Sequence, residues 1–192
     1  MSQEKNQGNR RRREQNKRPA GHPPTKMRGP RDFVGRLQHV DDVAEAYRSV
    51  SVEDEEAARV LQREGRYRQA VYFFMQAMEK LVRYAIFSEV SPDGVDKEGT
   101  TYRERTTTHN LDDLLAVLLE VYRETINDSR VSEQIENQLA TYVLEGVQFG
   151  FLHNDVRYPR YVERHRSYSL LELRDKDAEA TSGKLARLKS FV

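Results

Sequence analysis

Residues 67–87 read YRQAVYFFMQAMEKLVRYAIF, and they decide the fold. Ala70, Phe74, Ala77, Met78, Leu81 and Ala85 recur at steps of three and four, which puts them on one stripe of a helix. Gln69, Gln76, Lys80 and Arg83 fall largely away from that stripe. A helix this apolar on one side must bury that side against others, so its neighbours in sequence are expected to be helical too.

Upstream, Gly65 is placed to end a preceding helix that carries Ala57, Val60 and Leu61. Ser51, followed by Glu53, Asp54, Glu55 and Glu56, reads as an N-cap with an acidic first turn. Residues 33–50 then become a short helical lead-in, with 41–48 a separate segment. Downstream, Pro92, Gly94 and Gly99 mark residues 88–107 as a long loop. Thr108 or Asn110 caps the next helix, whose face is Leu111, Leu114, Leu115, Leu118, Tyr122 and Ile126. A fourth stripe runs Ile135, Leu139, Tyr142, Val143, Gly146, Val147 and Gly150, with Pro159 ending it or turning beyond it. The last helix starts at Asp175 or Asp177 and reaches Phe191, with Ala178, Thr181, Leu185, Leu188 and Val192 inward. No run from residue 33 onward alternates like a half-buried strand. The expected fold is all-α, an antiparallel bundle of four to five helices over residues 51–192.

Residues 1–32 differ in kind. They hold four of the six prolines and ten Lys/Arg against three Asp/Glu, leaving 22 basic and 28 acidic residues for the rest of the 192-residue chain. Apolar residues are too few there to offset the entropy of ordering, so a disordered basic arm is expected. Its centre is Arg10, Arg11, Arg12 and Arg13. An arm of this kind either solubilises or binds an anionic partner by releasing counterions from phosphate. No aromatic residue interleaves its charges, so base stacking is not indicated there.

The chain has no cysteine, which excludes disulfides, thiolate catalysis and cysteine-based zinc sites. Apolar runs such as 114–121 fall well short of the roughly 20 residues a membrane span needs. The N-terminus lacks an apolar segment behind its charges, so a cytoplasmic location is expected. There is no phosphate-cradling G-x-x-x-x-G-K-[ST], no G-x-G-x-x-G, no G-x-S-x-G elbow and no H-x-x-x-H pair. No metal and no cofactor are expected.

Three separated pieces resemble the HEPN family of small helical domains found in prokaryotic toxin and defence modules and beside nucleotidyltransferases. Gly65-Arg66-Tyr67-Arg68-Gln69-Ala70 leading to Gln76-Ala77-Met78-Glu79-Lys80 resembles the family's G-x-Y-x-x-A … Q-A-x-E-K helix pair. Thr108-His109-Asn110-Leu111 is similar to the H-x-L start of its next helix, and Arg157-Tyr158-Pro159 to the R-Y-P signature of one branch. The resemblance implies a homodimer that works with a partner such as a nucleotidyltransferase or other defence-system protein. Catalytic members are metal-independent ribonucleases built on an Arg, a polar residue and a His with four to six intervening positions. Arg160 and His165 satisfy that spacing, but Tyr161 stands where the polar residue belongs.

Arg offers a bidentate donor to phosphate and His titrates near neutrality, so the pair suits phosphodiester cleavage if both face one cleft. On a regular helix, five residues is about 500° of turn, so the two side chains diverge unless the segment is irregular or two subunits share the site. Residues 157–166 carry Arg157, Arg160, Arg164 and Arg166 against Glu163 alone, a net +3, with Tyr158 and Tyr161 able to stack on a base. Glu79 and Lys80 read as structural, and His109 as a helix-start residue. The leading expectation is a non-catalytic or weakly catalytic module that binds RNA or a nucleotide at Arg157, Tyr158, Arg160, Arg164 and Arg166. An endoribonuclease toxin using Arg160 and His165, and an architectural protein–protein adaptor, are the alternatives.

Overall fold

The first helix, α1 (Val40–Arg63), is unbroken. The computed structural model, which describes residues 40–126, 129–143, 145, 149 and 152–192, thus removes the expected boundary at Ser51. Nothing between 48 and 53 breaks a helix: there is no Gly or Pro. Ser51 is buried in mid-helix, and its hydroxyl donates to the Ala77 carbonyl at 2.8 Å instead of capping. Residues 33–39 and the arm, including Arg10, Arg11, Arg12 and Arg13, lie outside the described residues.

At the end of α1 the Gly65 and Arg66 amides return to the Gln62 and Leu61 carbonyls, at 3.0 and 2.8 Å. Gly65 has φ +70°, a conformation that a side chain would oppose. The chain then enters α2 (Tyr67–Glu89) and runs back along α1. Tyr47 stacks on Phe87 near one end of this pair, and Asp54 pairs with Lys80 further along, which is the order that antiparallel helices require. Small residues at the contact, Ala44, Ala58, Ala70 and Ala77, are all buried and let the helices approach closely.

Every member of the expected α2 stripe is buried, and so are Val71, Met75, Val82 and Ile86. That wider burial makes α2 the central element, packed on α1 and on three helices introduced below. Each Val, Leu, Ile, Phe or Met among them, fully buried, stabilises the fold by roughly 1.5–3 kcal/mol before ordering costs.

The long 88–107 connection contains one turn of helix, α3 (Tyr102–Arg105), closed by a Thr101/Glu104 capping box. Asn110 caps α4 (Leu111–Thr125) by accepting from the Asp112 amide at 3.1 Å. Leu111, Leu114, Leu115 and Leu118 are buried as expected, and Val117 and Val121 join them. Helix α5 (Ser129–Asn137) runs into a π-helical turn, Gln138–Val143, with Leu139 buried. The expected stripe positions Gly146, Val147 and Gly150 lie outside the described residues. Helix α6 (Leu152–Arg157) is short and precedes Pro159.

The helical expectation holds for most of the described residues, and one small feature departs from it. Strands β1 (Arg160–Val162) and β2 (Ser167–Ser169) form an antiparallel hairpin, with Tyr161 opposite Tyr168. Arg166 turns it in the left-handed region, at φ 47°. Three-residue strands are too short to show the alternation by which strands are read, and most of their residues are exposed.

The last helix, α7 (Asp175–Phe191), buries Ala178, Thr181, Leu185 and Leu188 against the core and lies along α2. Val192 is only half-buried. Gln62 donates to Asp175 at 3.0 Å and Lys189 pairs with Glu55, tying α7 to α1. The described residues therefore make a mostly helical fold of seven helices around α2, with one two-stranded sheet. Among them, no helix is long and apolar enough to cross a membrane.

Candidate functional site

Glu79 is the polar centre of α2. It is 3% exposed, and Arg83, one turn on, donates to it through Nη1. The same guanidinium donates Nε to the Thr106 carbonyl at 3.1 Å and Nη2 to the Thr108 carbonyl at 2.7 Å. Arg83 therefore pins the backbone that leads into α4. That backbone presents His109, whose Nδ1 donates to Glu79 at 3.0 Å while its side chain stays 71% exposed. Burial works to raise the Glu79 carboxyl, but Arg83 and His109 outweigh it and hold it below the usual carboxylate range.

A second histidine arrives from α6. The Phe149 amide donates to Asp112 at 2.9 Å, fixing the approach of the chain to α6 beside the start of α4. The His153 ring then lies parallel to the His109 ring, at 4° and with centroids 6.5 Å apart. Gln76 joins the two sides: its amide donates to Glu79 at 3.2 Å and to His153 Nε2 at 3.3 Å. Its carbonyl accepts from Lys80 at 3.3 Å, and Lys80 is paired with Asp54 at 2.5 Å. Burial pushes the His153 imidazole below its ordinary value; Glu79 opposes this, and the positive charge of Arg157 adds to it.

Arg157 follows His153 by one turn on the same face of α6. Its guanidinium sits 5.6 Å from the centre of the Tyr72 ring and 5.1 Å from that of Tyr158. Tyr72 also touches His153, with ring centroids 6.1 Å apart, and so links the histidine pair to this arginine. Arg68, Gln69, Tyr72, Val156, Arg157 and Tyr158 line a cleft of about 400 Å³. On the other side, Lys80, Arg103, His109 and Tyr47 border a larger hollow of about 590 Å³.

The residues singled out in the sequence divide. Arg157 and Tyr158 enter the cleft. Arg160 opens β1 opposite Ser169 and reaches Asp155 at 3.4 Å. His165 lies in the turn at the other end of the hairpin, about 7 Å of strand further on at ~3.3 Å per residue. Among the described residues, no contact joins Arg160 to His165. Arg164 and Arg166 are exposed in the same turn.

Glu79, Lys80 and His109 belong to one connected polar cluster, in which Lys80 ties α2 to α1 through Asp54 and His109 stands just before α4, in keeping with their structural reading. His153 and Arg83 carry no site motif in the sequence. One signal lies in the sequence: Gln76, Glu79, Lys80 and Arg83 form a second, polar stripe on the same helix as the apolar one.

Asp96, Glu98 and Glu120 bring carboxylate oxygens within 4.8 Å of one another. Arg105 already pairs with Asp96 and Glu120 there, at 3.1 and 2.6 Å, which accounts for the grouping. Comparison of the chain with protein-family models, with curated proteins and with solved structures finds no match.

Proposed function

We propose that this chain is a HEPN-type helical module that binds RNA or a nucleotide through the cleft of Arg68, Tyr72, Arg157 and Tyr158. The observation that carries this reading is a pair of arginines, Arg68 and Arg157, in one cleft with two tyrosine rings. Like Arg63, Arg66, Arg103, Arg164 and Arg166, they have no carboxylate partner among the described residues, whereas Arg48, Arg59, Arg83, Arg105, Arg123 and Arg160 are each held by one. Unpaired guanidinium groups supply phosphate contacts and tyrosine faces supply stacking, which together are what a single strand or a nucleotide requires.

The HEPN assignment is supported by where the three resembling pieces meet. Gln76, Glu79 and Lys80 from the first, His109 from the second, and Arg157 with Tyr158 from the third surround His153 and Tyr72. Arg164 and Arg166 extend the positive surface along the hairpin. A homodimer and a partner from a toxin–antitoxin or defence-type system follow from the same resemblance; light scattering and co-purification test them.

The direct test is fluorescence anisotropy of a labelled single-stranded RNA and, separately, of a labelled nucleoside monophosphate. Arg68→Ala with Arg157→Ala is expected to weaken binding at least tenfold. For a single strand, the slope of log K against log salt is expected to become shallower by about 1.4, from ~0.7 per phosphate contact. Equal affinity and equal slope in wild type and double variant would overturn the assignment. Tight binding of RNA with none of the mononucleotide would name RNA as the ligand.

A further inference from the structure

We infer that the β1–β2 hairpin is a docking edge for an acidic, extended segment of a protein partner, which adds to β1 as a third strand. The inference stands on the hairpin alone and leaves the cleft of Arg68, Tyr72, Arg157 and Tyr158 to its own test.

The apolar alternation of the hairpin is reversed. Strand residues point to opposite faces in turn, so Tyr161, its cross-strand neighbour Tyr168 and, two residues on, Leu170 share one side. Val162 and Leu171 take the other, where both are half-buried and Leu171 packs against the core. The aromatic side is the one turned outward: Tyr168 is 74% exposed, and Tyr161 and Leu170 are exposed as well. Tyr161 and Tyr168 meet edge to face, with ring centroids 5.2 Å apart. A hairpin that served only to connect α6 to α7 would carry polar residues on that side.

The strand edges are open too. The sheet has two strands, so each turns one row of backbone N–H and C=O groups outward. Among the described residues, no backbone hydrogen bond from outside the hairpin reaches 160–162 or 167–169. Beside β1 lies a hollow of about 510 Å³ lined in part by Arg160, Tyr161, Val162 and Glu163, which gives a further strand room. An open edge needs donors and acceptors in alternation. A polypeptide backbone supplies both, whereas phosphate supplies acceptors alone.

Charge selects the kind of polypeptide. Arg164 and Arg166 are exposed at the turn and have no carboxylate partner among the described residues. A second copy of the hairpin would bring like charges together, whereas Asp or Glu in an added strand would pair with them. Tyrosine and arginine are also the residues that dominate binding energy at protein interfaces. The segment that fits is extended, with acidic residues near the turn and apolar residues on the side of Tyr161 and Tyr168.

The test pans a random peptide display library on the full chain, then measures the enriched sequences as labelled synthetic peptides by anisotropy. These peptides are expected to be acidic, and to bind about tenfold more weakly or worse to Tyr168→Ser and to Arg164→Ala with Arg166→Asn. All three positions are exposed, and Asn tolerates the left-handed backbone at 166, so the variants keep the fold, which the melting temperature checks. Methylating every second backbone nitrogen of a peptide is expected to abolish binding for one of the two alternate sets and spare the other, because only one set faces β1. Affinity for single-stranded RNA is expected to be equal in wild type and Tyr168→Ser. No enrichment, enriched peptides that ignore both variants, or two methylated sets that behave alike would each overturn the inference. So would RNA or phosphatidylserine vesicles whose binding depends on Tyr168 where that of no peptide does.

Discussion

Glu79 shows how one buried charge can organise a surface site. A carboxylate at 3% exposure is tolerated because Arg83 and His109 both donate to it, and Arg83 in turn satisfies two backbone carbonyls. Among the described residues no buried side-chain nitrogen or oxygen is left without a partner. Removing one member of such a pair strands the other, so Arg83→Leu is expected to cost about 3–5 kcal/mol in urea unfolding. A loss near zero would mean that the cluster is not holding the loop before α4.

His153 predicts a pH dependence. Its folded value lies below the ordinary 6.5, so the unfolded chain binds more protons between the two values. The associated stability is complete above about pH 6.5 and falls as the pH drops toward the folded value. Glu79 adds a second contribution to stability, present in full above its ordinary 4.5 and lost as the pH falls through its lower folded value. The urea midpoint is therefore expected to decline from just below pH 6.5, and His153→Gln to flatten that upper segment. An identical profile in the variant would contradict the assignment. Glu79, His109, Arg157 and Asn154 act on the ring and Gln76 contacts it, so each must stay unchanged in the comparison.

At the scale of elements, helix periodicity carried most of the fold. The stripes of α2, α4 and α7 are buried nearly as the spacing requires, because their faces are long enough for the period to show. Two features were not legible. Ser51 looks like a cap because serine followed by acidic residues suits one, yet no Gly or Pro interrupts the helix there and the Ser51 hydroxyl is taken up by the opposing Ala77 carbonyl. Ser51→Ala is expected to cost about 1 kcal/mol, a buried hydrogen bond rather than a helix boundary, read from thermal unfolding. The hairpin is the second. Its register depends on a turn at Arg166 and a Tyr161–Tyr168 contact, with ring centroids 5.2 Å apart, neither of which leaves a pattern in three-residue strands. The candidate site was half legible for a related reason. Arg157 and Tyr158 stood in a visible basic segment, whereas Gln76, Glu79, His109 and His153 come from three distant stretches.

For the whole molecule, α2 is the element on which both stability and site depend. Its apolar stripe meets α1, α4, α6 and α7, while its polar stripe collects His109 and His153. Leu118 on α4 is fully buried in the shared core, so Leu118→Ala is expected to lower stability by about 2–5 kcal/mol. The chain from residue 33 onward is net acidic, which makes the unpaired arginines of the cleft a local exception to the surrounding charge. A solution NMR titration with a short single-stranded RNA tests the central claim most directly. Perturbed signals are expected to concentrate at Arg68, Tyr72, His153, Arg157 and Tyr158. Signals that stay fixed there while shifts gather elsewhere, or do not arise at all, would contradict it.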